Sequence, residues 1–216
     1  MMMMAVCCLP ELFAQSSLSE GKCGMDIKWV FDGYTISFTN ENKKGWTVEI
    51  PDYDINKNIA PWVKKKLSIK KVQIGVGITK IGSCAFANLP NLQEVVFDGT
   101  DLVEIGWGAF LNCKRLKNIS LPVQLSNIGP IAFARCSQLP SVKLPDRCRV
   151  GDQAYASCDN LQSVEVGATT ILGSQVFASE VKINDVVRHK LYDKEVRRLP
   201  SYINAGNCKE YGFART

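Results

Sequence analysis

The chain has 216 residues, 46% of them hydrophobic and 22% charged, and a formal net charge of +5. This length and composition suit an ordinary globular chain with one continuous core. Beyond the N-terminal segment no apolar stretch approaches the roughly 18 residues of a membrane span, which excludes a transmembrane helix there.

The first 22 residues are predicted to form a signal or leader segment. An apolar run ends at Ala14, before Gln15-Ser16-Ser17, as at the end of a secretory signal peptide. The segment has no basic start, and Glu11 interrupts its end. The sequence therefore predicts a secreted or cell-surface protein, with a cytoplasmic location as the alternative.

Residues 23–67 are predicted to form an N-terminal β cap. Ile27–Phe31 and Tyr34–Phe38 flank Asp32-Gly33, a strong signal for a β-hairpin. Trp46–Ile50 is expected to add a third strand. Three tryptophans are predicted to fill the core of this cap: Trp29, Trp46 and Trp62.

Residues 68–184 contain about five copies of a repeat with the motif Gly-x-x-Ala-aromatic. The last copy departs from this motif. The aromatic position recurs after 24, 23, 22 and 22 residues, within the range of leucine-rich repeats. These aromatic residues are Phe86, Phe110, Phe133, Tyr155 and Phe177.

Each unit has the pattern of a short strand with one buried face. In the second unit Leu116, Ile119 and Leu121 point inward while Asn118 and Ser120 point outward. The proline that follows ends the strand, the glycine permits a tight turn or a close backbone approach, and alanine and phenylalanine fill the core. The predicted fold is therefore a leucine-rich-repeat-like solenoid with a parallel β-ladder and short helical or irregular convex segments.

The cysteines follow the repeat. Cys113, Cys136 and Cys158 share one position, which Leu89 occupies in the first unit. A metal site or disulfide is the alternative, but the chain has no Cys-x-x-Cys spacing, so buried free thiols are favoured. A disulfide stays open among four cysteines that share no repeat position: Cys23, Cys84, Cys148 and Cys208.

Residues 185–216 lack the repeat and are predicted to be an irregular C-terminal cap or a partly disordered tail. The chain has two basic runs, Lys64–Lys71 and Arg188–Arg198. A solvated face is the favoured interpretation of both, and attraction to nucleic acid or another anionic surface is the alternative. No aromatic residues interleave with the lysines, so nucleic-acid binding is not supported.

No catalytic, metal or cofactor motif emerges. The only histidine, His189, lies outside the repeats, and no Gly-x-Ser-x-Gly motif accompanies it. Residues 52–58 resemble the start of a calcium loop, but Lys57 stands where that loop needs glycine and Val63 where it needs glutamate. The sequence predicts no enzyme activity, no metal and no cofactor.

The repeat resembles the BspA-type leucine-rich repeats, also called the Treponema pallidum class, from about residue 69 to 180. The segment upstream, with Cys23-Gly24, Trp29 and Ala60-Pro61-Trp62, is similar to the one that often precedes arrays of that family. The resemblance implies a surface or secreted protein of a host-associated bacterium or parasitic protist. It further implies adhesion to host proteins or co-aggregation.

The predicted function is binding of a protein partner, such as a host extracellular protein, through the outward strand residues. Trp107 joins this face as a candidate contact, since its counterparts in other units are small or polar; packing against a neighbouring coil is the alternative. Structural self-assembly is the alternative function. The predicted partner-binding residues are Glu94, Val96, Trp107, Asn118, Ser120, Ser141, Lys143, Ser163 and Glu165.

Overall fold

A computed structural model describes residues 18–177 and the pair 182–183. The predicted leader up to residue 17 and the tail from residue 185, with His189 and Cys208, lie outside the described residues. The described chain winds into a solenoid with two β-ladders on two sides and turns on the third. This confirms the predicted fold class. The second ladder is an addition to the single ladder that the sequence predicted.

The N-terminal cap is a three-stranded antiparallel sheet. Its strands are β1 (Ser19–Cys23), β2 (Ile27–Phe31) and β3 (Thr35–Asn40). The hairpin predicted around Asp32-Gly33 is confirmed, because β2 and β3 pair on either side of that turn. The outer strand of the cap begins at Ser19, inside the segment that the sequence assigned to the leader.

The prediction that Trp46–Ile50 adds a third strand to the cap is wrong. The strand in this segment is β4 (Val48–Ile50), and it pairs in parallel with β6 (Ile78–Ile81) in a different sheet. Val48 and Ile50 are both buried, so this short strand gains an apolar environment by starting the second ladder.

The first ladder continues the cap in parallel. β3 is followed by β5 (Lys71–Ile74), β7 (Glu94–Phe97) and β9 (Asn118–Ile119). A separate sheet continues with β11 (Ser141–Leu144), β13 (Ser163–Val166) and β15 (Lys182–Ile183). Lys117 donates its backbone N–H to the Gln93 carbonyl, at 3.0 Å, but Pro140 stands one repeat later and has no N–H to donate. The ladder is therefore interrupted between β9 and β11.

The second ladder is continuous through the described coils. It runs from β4 and β6 to β8 (Glu104–Ile105), β10 (Asn127–Ile128), β12 (Arg149–Val150) and β14 (Ile171–Leu172). Each of the last four strands has only two residues, and in most of them the second residue is buried. Each of these short strands thus contributes one apolar residue to this side of the core.

The third side of each coil consists of turns rather than helices. The one helix among the described residues is a 3-10 helix at Pro61–Lys65, in the cap. In the turns, backbone N–H groups donate to the next coil: Phe86 to the Ala109 carbonyl and Phe110 to the Ala132 carbonyl, both at 2.8 Å. The turns therefore pair their backbone between coils, which removes the need for helical hydrogen bonds.

Close backbone approach explains the repeated glycine. At Gly106 a β-carbon would lie 2.7 Å from the Ser83 backbone nitrogen and 2.9 Å from the Gly82 carbonyl carbon. Both obstacles belong to the backbone of the preceding coil. Of the two roles that the sequence allowed for this residue, the structure shows close approach.

The aromatic residues form a continuous stack through the core. Successive ring centroids lie 5.1–5.6 Å apart, with interplanar angles of 6–26°. Trp62 begins the stack, and its indole N–H donates to the Ala85 carbonyl at 2.9 Å. Trp29 and Trp62 are buried as predicted, but Trp46 is 63% exposed, so its assignment to the cap core is wrong. Trp46 instead carries the Lys44 ammonium over its ring, at 4.8 Å from the centroid. The stack comprises Trp62, Phe86, Phe110, Phe133, Tyr155 and Phe177.

Candidate binding face

The outward side of the first ladder carries the predicted contact residues in columns. The parallel register places Glu94 beside Asn118, and in the later sheet it places Ser141 beside Ser163 and Lys143 beside Glu165. Inward neighbours such as Val142 and Val164 are buried, whereas the predicted contacts are exposed or half-buried. We call this surface the binding face. It consists of Glu94, Val96, Asn118, Ser120, Ser141, Lys143, Ser163 and Glu165.

The cap and the first coil extend this face toward the N-terminus. Thr35 of the cap lies beside Lys71, and Lys71 lies beside Glu94; Ser37 likewise lies beside Gln73. The prediction omitted these residues. The spacing of 23 residues from Lys71 to Glu94 is a repeat interval and could have identified this part of the face.

The charges on the face are paired across neighbouring strands. The Lys71 ammonium lies 3.1 Å from a Glu94 carboxylate oxygen, and the Lys143 ammonium lies 2.6 Å from a Glu165 carboxylate oxygen. The Lys143–Glu165 pair is largely exposed and the Lys71–Glu94 pair is partly exposed, so both add little stability. They nevertheless make the face a mixed polar surface without a strong net charge.

Trp107 lies on a different side of the coil. It follows β8 and Gly106, in the turns of the third side, whereas the binding face belongs to the first ladder. Its side chain is half-buried and packs against a small apolar cluster that contains Leu111, Ile131 and Ala134. Of the two predicted roles, the structure favours packing against a neighbouring coil, and we omit Trp107 from the binding face.

The cysteines at the shared repeat position lie in the interior and are poorly reactive. Cys113, Cys136 and Cys158 are buried free thiols, as predicted, and each donates to a backbone carbonyl of the preceding coil at 3.2–3.4 Å. Burial raises the pKa of Cys113 and of Cys158 to about 12, so these thiols stay protonated and are poor nucleophiles.

The remaining cysteines outside this column are also free within the described residues. Cys23, Cys84 and Cys148 are all buried thiols, so no disulfide joins any two of them. Burial also raises the pKa of Cys148, to about 12. The fourth cysteine of that set, Cys208, lies outside the described residues, so its pairing stays a prediction.

In the segment that resembles a calcium loop, residues 52–58, a carboxylate accepts hydrogen bonds from the backbone of the segment itself. Asp54 accepts backbone N–H groups from Asn56, Lys57 and Asn58, and these hydrogen bonds lower its pKa. Among residues 18–177, no three His, Cys, Asp or Glu side chains converge as metal ligands. The same part of the chain has no helix long and apolar enough to cross a membrane.

The repeat array matches a known family. A family model described as "BspA type Leucine rich repeat region" matches residues 59–184 in six copies, where the sequence predicted about five units. The match covers more than half of the chain. No curated protein matches the chain.

Several solved structures share the fold. A leucine-rich repeat protein of T. pallidum is 23% identical with a TM-score of 0.51, and the match covers 81% of this chain and 91% of that one. A leucine-rich repeat protein of Eubacterium ventriosum is 24% identical with a TM-score of 0.53, covering 71% of this chain and 45% of that one. A leucine-rich cell-surface protein of Faecalibacterium prausnitzii is 21% identical with a TM-score of 0.51, covering 73% and 45%. The chain therefore spans less than half the length of these last two proteins.

Proposed function

Because the chain belongs to the BspA-type leucine-rich repeat family, we propose that it is a non-enzymatic module that binds a protein partner on its binding face. The register of the first ladder carries this proposal. It aligns outward side chains of successive coils in columns, from Thr35 in the cap to Asn118, and from Ser141 to Glu165 in the separate sheet that continues this side. Repeat proteins use extended regular surfaces of this kind for recognition.

The composition of the face supports a protein partner. Its side chains are mostly hydroxyls, amides and paired charges, which suits a polar interface with many directional hydrogen bonds. The raised pKa of Cys113 and of Cys158 argues against these two thiols as catalytic nucleophiles, which is in keeping with a binding module.

We further propose that the protein acts outside the cell or at its surface, and that its partner is a host extracellular protein bound in adhesion. The apolar N-terminal segment supports this location, as does the similarity to a cell-surface protein of F. prausnitzii. Detection of the protein in culture medium or by surface labelling of intact cells tests the location. Labelling only after lysis would contradict it.

Two variants with equal charge changes test the face. The proteins that the wild-type chain binds in a host extracellular extract are identified first. The affinity of each variant for one purified partner is then measured. The face variant should weaken binding at least tenfold, because four carboxylates replace its central contacts. It is Asn118→Glu, Ser120→Glu, Ser141→Glu and Lys143→Glu.

The control variant changes the second ladder and the turn before it. It is Gln124→Glu, Ser126→Glu, Asn127→Glu and Arg149→Glu. Each variant adds four negative charges and removes one positive charge, so the control corrects for net charge. Circular dichroism verifies that both variants fold. Equal affinities of the face variant and wild type would refute the assignment of the face.

Self-association is the alternative that the sequence left open. It predicts that the sedimentation coefficient rises with protein concentration. A monomer at all concentrations would exclude self-assembly and leave the binding of a partner as the proposal.

A further inference from the structure

A group of exposed cations lies beside the binding face, at the start of its strands. Lys70 immediately precedes β5, and Lys117 immediately precedes β9. Lys114 and Arg115 lie just upstream of Lys117, and Lys66 lies upstream of Lys70. All five are exposed. We call this group the basic stripe: Lys66, Lys70, Lys114, Arg115 and Lys117.

Backbone hydrogen bonds fix the spacing of the stripe. Gln93 donates its N–H to the Lys70 carbonyl at 2.8 Å, and Lys117 donates its N–H to the Gln93 carbonyl at 3.0 Å. Lys70 and Lys117 are thus two strand spacings apart, about 10 Å along the solenoid axis. A parallel contact links the flanking segments, because the Asn91 side-chain amide donates to the Leu67 carbonyl at 2.7 Å.

The stripe differs from the binding face in having unpaired charges. On the face, Lys71 and Lys143 each have a carboxylate within 3.1 Å. No stripe cation forms a salt bridge with an acidic residue in the described ranges 18–177. Neutral residues of the intervening coil, Asn91 and Gln93, separate the cations along the axis, and Ser137 and Gln138 follow in the coil beyond them. Asp32, in the nearby hairpin turn, accepts the backbone N–H groups of Tyr34 and Thr35.

We propose that the basic stripe binds an acidic polysaccharide laid along the solenoid axis. Two groups of cations about 10 Å apart, with amide side chains between them, complement a linear chain that alternates anionic groups and hydroxyls. A nucleic acid is less suited, because stacking needs free aromatic faces. Tyr34, the aromatic residue at this edge, already carries the Lys70 ammonium, 5.2 Å from its ring centroid.

Binding of heparin, as a sulfated polysaccharide probe, tests the proposal by isothermal titration calorimetry on the full chain. The stripe variant is Lys66→Gln, Lys114→Gln and Lys117→Gln. The control variant removes three exposed cations elsewhere and is Lys43→Gln, Lys57→Gln and Arg149→Gln. The basic run at residues 188–198, outside the described residues, is the same in all three proteins, so it cannot cause a difference between them.

The stripe variant should bind heparin at least tenfold more weakly than wild type, and the control less than twofold more weakly. Wild-type affinity should fall as salt is raised. Equal losses of heparin affinity in both variants would overturn the assignment of the binding site to the basic stripe, because net charge alone would then explain binding. Binding of poly-glutamate or oligo-thymidylate as tight as that of heparin would overturn the choice of a polysaccharide.

Discussion

Alanine substitutions at two glycines of one coil distinguish the effect of close coil packing on stability from the effect of backbone conformation. Gly106→Ala places a β-carbon 2.7 Å from the Ser83 nitrogen and 3.0 Å from the Ile81 carbonyl oxygen. Non-bonded heavy atoms prefer roughly 3.5–4.0 Å, so the coils must separate by several tenths of an ångström. The separation also stretches the 2.8 Å hydrogen bond from the Gly106 N–H to the Ile81 carbonyl. Because the obstacle is backbone and cannot rotate away, we expect a loss of about 3 kcal/mol.

Gly108→Ala is the matched control. Gly108 has a φ of +56°, but Ile131 and Gln153 carry side chains at the same repeat position with φ of +48° and +56°. An added β-carbon would lie 3.6 Å from the Cys84 sulfur, an ordinary contact. The left-handed conformation costs an alanine about 1 kcal/mol, and the reduced entropy of the unfolded chain offsets about half of this.

Equilibrium urea unfolding, followed by circular dichroism and tryptophan fluorescence, measures both variants. The expected gap between them is at least about 2 kcal/mol, or a Tm difference of about 4–8 °C for a domain of this size. Both probes are needed because repeat arrays can unfold in stages. If Gly106→Ala is as stable as wild type, or if Gly108→Ala is the more destabilised, close approach of the coils is not what the repeated glycine provides.

Three further predictions concern the core. Tyr155→Phe should raise the free energy of unfolding by about 1 kcal/mol, because the tyrosine hydroxyl is buried without a hydrogen-bond partner among the described residues; a clear loss of stability would show that it has one. In thermal unfolding, Trp62→Ala should lower the free energy of unfolding by about 3–5 kcal/mol and Trp46→Ala by less than about 1 kcal/mol, because Trp62 is buried and Trp46 is exposed. Similar losses of stability in the two variants would contradict this prediction. Burial raises the pKa of Cys113 and Cys158 from 9.0 to about 12, so their contribution to stability is complete below pH 9 and is lost as the pH rises toward 12. Unfolding measured across that range should depend less on pH in a Cys113→Ala/Cys158→Ala variant; an unchanged slope would show that these thiols are not the cause.

The repeat was predictable because each of its positions occurs several times. The phase of Gly106, Phe110 and Cys113 is confirmed by equivalent residues in neighbouring coils, and all three are buried as that phase requires. The second ladder was not predictable from alternation, since a strand such as Glu104–Ile105 is too short to show a period of two residues. It forms because equivalent segments of successive coils stack in register.

The cap was less predictable because its sequence occurs once. Trp46 is apolar and lies near a strand, but the loop that contains it lies outside the core. There Asn40 donates its side-chain amide to the Trp46 carbonyl, and Asn42 accepts the Trp46 N–H. A single copy gives no second residue against which to check such an assignment. The binding face could be placed from the repeat alone, but its extension to Thr35 required knowledge that β3 pairs with β5.

The two proposed surfaces follow from two ways of placing charge on a parallel ladder. Equivalent residues of neighbouring coils are only about 4.8 Å apart, so like charges in adjacent coils repel. The binding face avoids this repulsion by placing Glu165 beside Lys143, which also removes its net charge. The basic stripe avoids it by placing Gln93 between Lys70 and Lys117. These two cations are then about 10 Å apart, beyond the Debye length of about 8 Å at physiological salt, so they tolerate each other and still attract anions. A face with paired charges suits a partner recognised by shape and hydrogen bonds, whereas a stripe with unpaired charges suits a partner recognised by its charge.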